Sequence, residues 1–488
     1  MFGLESLVAL VLGSLYGAIF GALPGLTATL ALSLFIPIAL FLEPTVAFSA
    51  IVGITATAIF AGDVGAVAVR IPGTPASAAY TEEIHELGRR RSPALALGIA
   101  AFASALGSLV GVVFLVGGSL GLAQVAKQFS SFEYFWLVLL GIISGILATP
   151  SLLKGMLAFA FGMLIATVGV DPALGTPRFT FGNVSLLGGV PFIVALIAFF
   201  GLSEVLRALY DRHQLAPRPS AEATQHQVAR SYFLEAPLLV LRQRWLLLRS
   251  SLLGTFVGFL PGAGSDLAAW MSANLARMRK NRGEQVVVAG AGSNNAAVAG
   301  TWIPALSLGI PGDTLTAIVL GMFMVLGITP GPDLFRNNFG LVLQIYGAFF
   351  LVSVFLLPLS GFIAASLVNQ LIRIPRPLLL GGVMGLCLVG TYAINRNPAD
   401  LYLMLVLGAF GLLLQKGGFP LGQLILGLVL GPLLEQYLMV SLIKTHWDLT
   451  AFFSRPVALG LALANLLLVL GMLYLRARQA RQVREVRP

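Results

Sequence analysis

Apolar runs of membrane-spanning length recur from one end of this sequence to the other: 94 to 122, 132 to 149, 152 to 170, 185 to 206, 377 to 394, 399 to 414 and 457 to 475. A helix rising about 1.5 Å per residue needs roughly 20 apolar residues to cross a hydrocarbon core of about 30 Å. By that measure the chain holds roughly a dozen spans or hairpins. Composition agrees, since 57% of the 488 residues are hydrophobic and only 10% are charged. Mean hydropathy is +0.91, well outside the range of soluble domains. The runs are too long for the strands of a transmembrane barrel. The fold class expected is an all-α polytopic membrane protein.

Several function classes drop out. The formal charge of +10 does not argue for nucleic acid, because the arginines gather in short inter-helical loops and the tail, as membrane orientation signals do. The single cysteine, Cys387 in "GVMGLCLVGTY", reads as a buried, inert thiol. His85, His213, His226 and His446 are scattered without ligand spacing, so neither a metal centre nor a cofactor is expected. "MFGLESLVAL" contains Glu5 and no basic leader, so residues 6 to 22 read as part of the mature protein.

The apolar pattern is broken twice in the same way, by "ALPGLTATLAL" at 22 to 32 and "FLPGAGSDLAA" at 259 to 269. Gly17, Gly21, Pro24 and Gly25 return 237 positions later as Gly254, Gly258, Pro261 and Gly262. "IPGTPASAA" at 71 to 79 returns as "IPGDTLTAI" at 310 to 318, with Pro72 and Pro311 239 apart. Two motifs in the same order at nearly the same shift indicate an internal duplication. The halves are 1 to 206 and 250 to 475, the second with an added C-terminal helix. Between them lies a basic connector, 207 to 249, with seven arginines, and a basic tail, 476 to 488, follows. If the connector, "GRRRS" (88 to 92), "RMRKNRG" (277 to 283) and the tail are all cytoplasmic, the two halves are inverted. Residues 250 to 276 must then start and finish on the cytoplasmic side, as a re-entrant hairpin tipped by Pro261-Gly262. Residues 6 to 42 are expected to form its partner from the other face. Inverted repeats with broken helices meeting near the midplane are a common plan for secondary transporters.

A broken helix in lipid leaves backbone groups unpaired, which persist only where protein or a polar cavity satisfies them. After each break a helix restarts. Thr74 suits an N-cap with Pro75 at the first helical position, Asp313 suits another N-cap, and Ser265 or Asp266 a third. Free N–H groups at such starts suit an anionic substrate. The candidate substrate contacts are Pro24, Gly25, Thr27, Pro72, Gly73, Thr74, Pro261, Gly262, Ser265, Pro311 and Gly312, with Arg70 beside them. Ordinary capping is the structural alternative for each motif taken singly. Asp63, Asp266 and Asp313, with the amides of Asn294 and Asn295, offer hard oxygens for Na⁺ or a carboxylate for a proton. The alternative for them is a satisfied polar patch between helices. Asp63 and Arg70 stand seven apart, about two helical turns, and either pair or share a face. A weaker reading makes Asp63 and Asp313 the acids of an intramembrane protease, but the sequence lacks that class's Gly-x-Gly-Asp and Tyr-Asp patterns.

Taken in order, "GALPGLTATLALSLFIPIAL", "IPGTPASAA", "SLLKGMLAFAFGMLIATVGVDPALGTPRFTFG", the segment from Val190-Pro191, "LPGAGSDLAAW", "SNNAAVAGTWIPALSLGIPGDTLTAIVLGM", "GITPGP" and "FPLGQLILGLVLGPLLEQYL" resemble the large membrane subunit of the tripartite tricarboxylate transporters. That resemblance implies a permease of the bacterial inner membrane, importing a small organic carboxylate with Na⁺ or H⁺. It implies as partners a periplasmic solute-binding protein, a small membrane subunit and the lipid bilayer. The C-terminus is expected in the cytoplasm. The Pro-Gly turns and Asn294-Asn295 match the family's signature segments. Gly290-Ala291-Gly292 stand where that family usually has a glutamate, Arg70 where it has an asparagine, and "TEEIHELGRRR" in place of an Asp-Gly-Tyr-Pro-like segment. A carboxylate carrier working without a binding protein is the nearest alternative.

Overall fold

The computed structural model describes residues 3–23, 26–171, 175–210, 229–279, 283–371 and 376–486, and not the side chains of 368–371, 376 and 472–486. Pro24, Gly25, His213, His226, residues 211–228 of the expected connector and the tip of "RMRKNRG" lie outside the described residues.

The described chain is helical almost throughout. Its first half runs α1 (Leu4–Ala22), α2 (Ala28–Ala39), α3 (Pro44–Val69), a 3₁₀ turn (Ser77–Tyr80), α4 (Thr81–Arg90), α5 (Pro93–Ala126), α6 (Ser131–Leu147) and α7 (Leu152–Ala166), and ends in α8 (Phe192–Tyr210). After the connector come α9 (Ala236–Arg242), α10 (Arg244–Phe259), α11 (Gly264–Met278), α12 (Glu284–Leu308), α13 (Thr314–Val325) and α14 (Pro332–Asn337). Then follow α15 (Phe339–Leu367), α16 (Pro377–Asn395), α17 (Pro398–Lys416), α18 (Leu421–Lys444) and α19 (Pro456–Gly471). Eight of these helices are long and apolar enough to span a membrane, and five more apolar helices are shorter. The expected all-α polytopic membrane protein is what forms. Among the described residues the strands are two-residue pieces, Gly169–Val170 antiparallel to Pro177–Arg178. The apolar run from 185 starts in a 3₁₀ turn (Val184–Leu186) and becomes α-helical only at Phe192: Pro191 precedes the first turn of α8 and Gly189 has φ +80°. The described part of the expected connector is helical too, with Tyr232, Ala236 and Val240 buried and the Tyr232 hydroxyl donating to Pro358 O (2.7 Å).

The two halves use the same local devices. α1 crosses α3 so closely that a Cβ at Gly17 would stand 2.6 Å from Ile54 O and one at Gly21 2.2 Å from Ala58 O. α10 crosses α12 in the same way, with a Cβ at Gly254 2.2 Å from Ser293 O and one at Gly258 2.4 Å from Ala297 O. Small residues permit this approach, which is how membrane helices gain packing energy without a hydrophobic driving force. α3 ends with Arg70 in the left-handed region (φ 59°), its N–H on Ala66 O (3.2 Å) and that of Ile71 on Gly65 O (3.3 Å). α12 ends with Gly309 at φ 69°, its N–H on Ala305 O (3.2 Å) and that of Ile310 on Pro304 O (3.3 Å). Both are Schellman-type ends, one with the usual glycine and one without.

α3 and α12 form the centre. Almost all of α3 is buried, and α12 is buried continuously from Val286 to Leu308. They touch where the Asn295 amide donates to Ala56 O (3.0 Å). Asn295 and Ala56 are 239 positions apart, the shift that separates Pro72 from Pro311.

Candidate functional site

The breaks are closed by one another's backbone. α10 stops at Phe259 and α11 starts at Gly264, with Gly262 at φ +76° between them. The Gly262 N–H donates to Pro311 O (3.2 Å) and that of Gly264 to Gly312 O (3.1 Å). The Ser144 hydroxyl donates to Pro261 O, and a Cβ at Gly262 would lie 2.2 Å from Gly141 O. In the first half Gly73 donates to Gly62 O (2.9 Å), and a Cβ on Gly73 would meet Gly21 O at 2.6 Å. Pro72-Gly73 is thereby pressed onto the end of α1, and Pro311-Gly312 onto α12, where a Cβ at Gly312 would stand 2.7 Å from Thr301 Cα. Pro24-Gly25, at the first break, are outside the described residues.

The helix restarts follow the same duplication. The Asp313 carboxylate accepts from the Thr316 N–H (2.8 Å) while the Thr316 hydroxyl accepts from the Asp313 N–H (2.9 Å), a reciprocal cap. Thr74 Oγ1 accepts from the Ser77 N–H (3.2 Å) and lies 2.8 Å from Ser77 Oγ. The expectation at Pro75 needs adjustment, because the helical turn begins at Ser77 and not there. The expectation that Ser265 or Asp266 caps its helix is overturned. α11 begins at Gly264 with Ala263 as the preceding residue and no side-chain cap. Pairing with the 311–312 turn carries the backbone into the helix, leaving Ser265 and Asp266 inside the first turn. Thr27 caps α2 through the Leu30 N–H (3.2 Å) and sits 2.8 Å from the Thr29 hydroxyl.

The halves meet at these loops. The Ala76 backbone and Asp313 both lie close to the Asp266 carboxylate. The indole N–H of Trp270 donates to Pro75 O (3.1 Å). The Ser77–Tyr80 turn packs on α11, while α13 packs on α2 and, through Phe323 stacked on Phe48 at 4.1 Å between centroids, on α3.

Deeper lies a second polar cluster. Asp63 is fully buried on α3, and the Tyr80 hydroxyl lies 2.9 Å and 3.1 Å from its two oxygens. Ser77 is within hydrogen-bond reach of Asp63, and Asn294 of Tyr80. Gly290 leaves space for the Tyr80 ring, which a Cβ there would meet at 2.3 Å. Asn294 and Asn295 are both buried, and the Oδ1 of each lacks a donor. Asp63 and Arg70 do not pair. α3 ends at Val69, and the left-handed turn swings Arg70 outward to Glu82 (2.9 Å and 2.5 Å). Arg70 thus lines a charged cleft of about 600 Å³ with Glu82, Glu83, His85, Glu86, Arg89 and Arg277. Arg277 crosses from the second half to Glu83 (2.7 Å) and to Ala79 O (2.6 Å).

The sequence reading singled out Asp63 and Asn294 but missed Ser77, Tyr80 and Trp270. A tyrosine following four small residues in "PASAAY" is the one local signal for Tyr80. Asp63 and Asp313 bond to different partners, Tyr80 and Thr316, and do not form an acid pair. What the site offers is a junction of broken helices with backbone donors and hydroxyls in one half, carboxylates in the other, and a buried carboxylate behind.

The model of the tripartite tricarboxylate transporter TctA family matches residues 7–426. An uncharacterized 52.8 kDa protein in the TAR-I ttuC' 3' region of Agrobacterium vitis is 32% identical over 466 residues, covering 93% of this chain and 90% of that relative. An uncharacterized protein in the TAR-II ttuC' 3' region of the same organism is 35% identical over 231 residues, covering 44% of this chain and 93% of that relative. No solved structure matches the chain. The chain belongs to the tripartite tricarboxylate transporter TctA family, as a large membrane subunit of a multi-pass transporter that works with a binding protein and a small subunit, and it is not an enzyme.

Proposed function

We propose that the chain imports a small organic carboxylate across the bacterial inner membrane in symport with Na⁺ or H⁺. A periplasmic solute-binding protein delivers the carboxylate and a small membrane subunit completes the carrier. The observation that carries this reading is the junction of the Pro-Gly turns across the two halves, where Ala76 and Pro75 meet Asp266 and Trp270. The contact of Asn295 with Ala56, its equivalent in the first half, fits a two-fold axis running between α3 and α12. We read the halves as inverted repeats with C-terminal tail and basic loops in the cytoplasm. The bridge from Arg277 to Glu83 supports that orientation by bringing two arginine-bearing regions to one side.

Charge sorts the junction. The second-half loops carry Asp266 and Asp313, while the corresponding first-half positions are Thr29 and Thr74. An anionic substrate is repelled by the former and accepted by the latter, so the carboxylate lodges at the start of α2 and the Pro72-Gly73 turn, with Thr27 and Thr74 as hydroxyl partners. Arg70, held by Glu82, guards the cleft outside this site.

The test is accumulation of labelled di- and tricarboxylates in cells expressing the chain with its two partners under imposed ion gradients. Wild type is expected to accumulate at least one, and Thr74→Val, which keeps the side chain's shape and removes the hydroxyl proposed to hold the carboxylate, to accumulate several-fold less while remaining folded. Uptake by the chain alone would remove the binding protein from the reading. No uptake of any carboxylate by an assembled complex would overturn the substrate class.

A further inference from the structure

We propose that Asp63, Ser77, Tyr80 and Asn294 enclose a single Na⁺ site, and that this site, not Asp313 or Asp266, couples the ion to the carboxylate. The inference rests on the reading of the chain as a cation-coupled carboxylate carrier and names the place where the cation sits.

The site is built by three elements: α3 supplies Asp63, the 3₁₀ turn supplies Ser77 and Tyr80, and α12 supplies Asn294. Asp63, Ser77 and Tyr80 are fully buried and Asn294 is 1% exposed. A carboxylate there is costly unless it is matched by a cation. Among the described residues no lysine, arginine or histidine pairs with it; the nearby Arg70 is taken by Glu82. Its neighbours are oxygens: Tyr80 Oη at 2.9 Å and 3.1 Å, Ser77 within reach, and the Thr74 hydroxyl 2.8 Å beyond Ser77. The Asn294 side chain reaches Tyr80, yet its Oδ1 is buried with no donor. A buried acceptor oxygen left without a donor, beside an uncompensated carboxylate and two hydroxyls, is an arrangement suited to a hard monovalent cation. Glycine shapes the walls: a Cβ at Gly62 would stand 2.7 Å from Thr74 Oγ1, and one at Gly290 2.3 Å from the Tyr80 ring.

The second half shows why the site occurs once. At the same shift of 239 the position of Asp63 is taken by Trp302, that of Tyr80 by Val319 and that of Asn294 by Thr55. Trp302 is fully buried and packs edge-on against Phe349 at 5.2 Å. An indole fills the space where the first half keeps a carboxylate. Asp313 commits its Oδ1 to the Thr316 cap, accepting there from both the Thr316 N–H and the Thr316 hydroxyl. Coupling follows from position. Thr74 belongs to the turn proposed to hold the carboxylate, and Ser77 joins it to Asp63, so a cation bound there lowers the cost of a negative charge one residue layer away.

The experiment is a thermal-denaturation titration of the full chain in lipid nanodiscs, with NaCl replacing choline chloride at constant ionic strength. A ligand that binds only the folded state raises the midpoint saturably. Wild type is expected to be stabilised by Na⁺. Asp63→Asn and Asn294→Ala should each need on the order of tenfold more Na⁺ or show no response, while Asp313→Asn and Trp302→Phe respond as wild type does. If Asp63→Asn does not fold, Asn294→Ala and Tyr80→Phe decide the question. An unchanged Na⁺ response in these variants, or a wild type indifferent to Na⁺ and responsive only to pH, overturns the site. Intact Na⁺ binding with no carboxylate uptake in the assembled transporter would instead sink the carboxylate reading and leave the site standing.

Discussion

The Pro72-Gly73 and Pro311-Gly312 turns of this transporter have the same skeleton and different chemistry. Each follows a left-handed helix end, each is wedged against a buried helix through a glycine, and in each a side-chain oxygen accepts from the N–H three residues on. In the first half the cap is Thr74 and the residue behind it is Asp63. In the second half the cap is Asp313 and the residue behind is Trp302. Duplication preserves what packing dictates, because a Cβ in the wrong place collides with backbone that has nowhere to go. Charge and polarity are free to diverge, since they alter what the junction binds without altering whether it forms. The lesson is that the scaffold is symmetric and the electrostatics are not.

The crossings test the symmetric part and should give the largest effects. Gly21→Leu and Gly258→Leu are each expected to cost about 3 kcal/mol or more, seen as loss of monodisperse protein, because their Cβ positions lie 2.2 Å and 2.4 Å from Ala58 O and Ala297 O. A large effect at one and none at the other would break the equivalence of the halves. The caps test the divergent part. Asp313→Ala should lower stability by about 1 kcal/mol, more than Thr74→Val, and Asp313→Asn should restore most of the loss in a denaturation assay. Failure of asparagine to rescue would show that the Asp313 charge matters beyond its capping role. The helix ends give a smaller, signed effect. Gly309→Arg is expected to destabilise by about 1 kcal/mol, since a left-handed residue other than glycine is penalised. Arg70→Gly should be neutral to slightly stabilising, the relief at φ 59° offsetting the loss of an exposed ion pair. Glu82→Gln, which removes that pair alone, should move the midpoint least, by about 0.5 kcal/mol or less.

Much of this was legible in the residues. Pro-Gly inside an apolar run marks a break because proline removes a donor and glycine accepts the turn, and the breaks at Gly262 and at Gly309–Gly312 lie where the sequence indicates. Asp313 has a local signature three residues long and its cap forms; Thr74 accepts from the Ser77 N–H three residues on, but the helical turn there starts after Ala76. Ser265 and Asp266 carry an equally good signature and do not cap, because the Gly262 and Gly264 amides are held by Pro311 O and Gly312 O. That contact joins segments about 50 positions apart in the chain, and no local pattern announces it. The relation of Asp63 to Arg70 was open for a similar reason. Two turns of continuous helix would align them, but the helix ends between them at Val69. Tyr80 reaches Asp63, and Asn294 reaches Tyr80, only through the packing of the Ser77–Tyr80 turn and α12 on α3, a tertiary fact with no trace in spacing. The turn at Pro24-Gly25 and residues 211–228 of the central connector lie outside the described residues.

The most direct test reconstitutes the chain with its small subunit and binding protein in liposomes. Labelled carboxylate accumulation is then followed under an inward Na⁺ gradient and, separately, an inward H⁺ gradient. Wild type should accumulate under the Na⁺ gradient, Asp313→Asn should retain that dependence, and Asp63→Asn should lose it. Retention of Na⁺-driven uptake by Asp63→Asn together with its loss in Asp313→Asn would contradict the division of labour between the two halves.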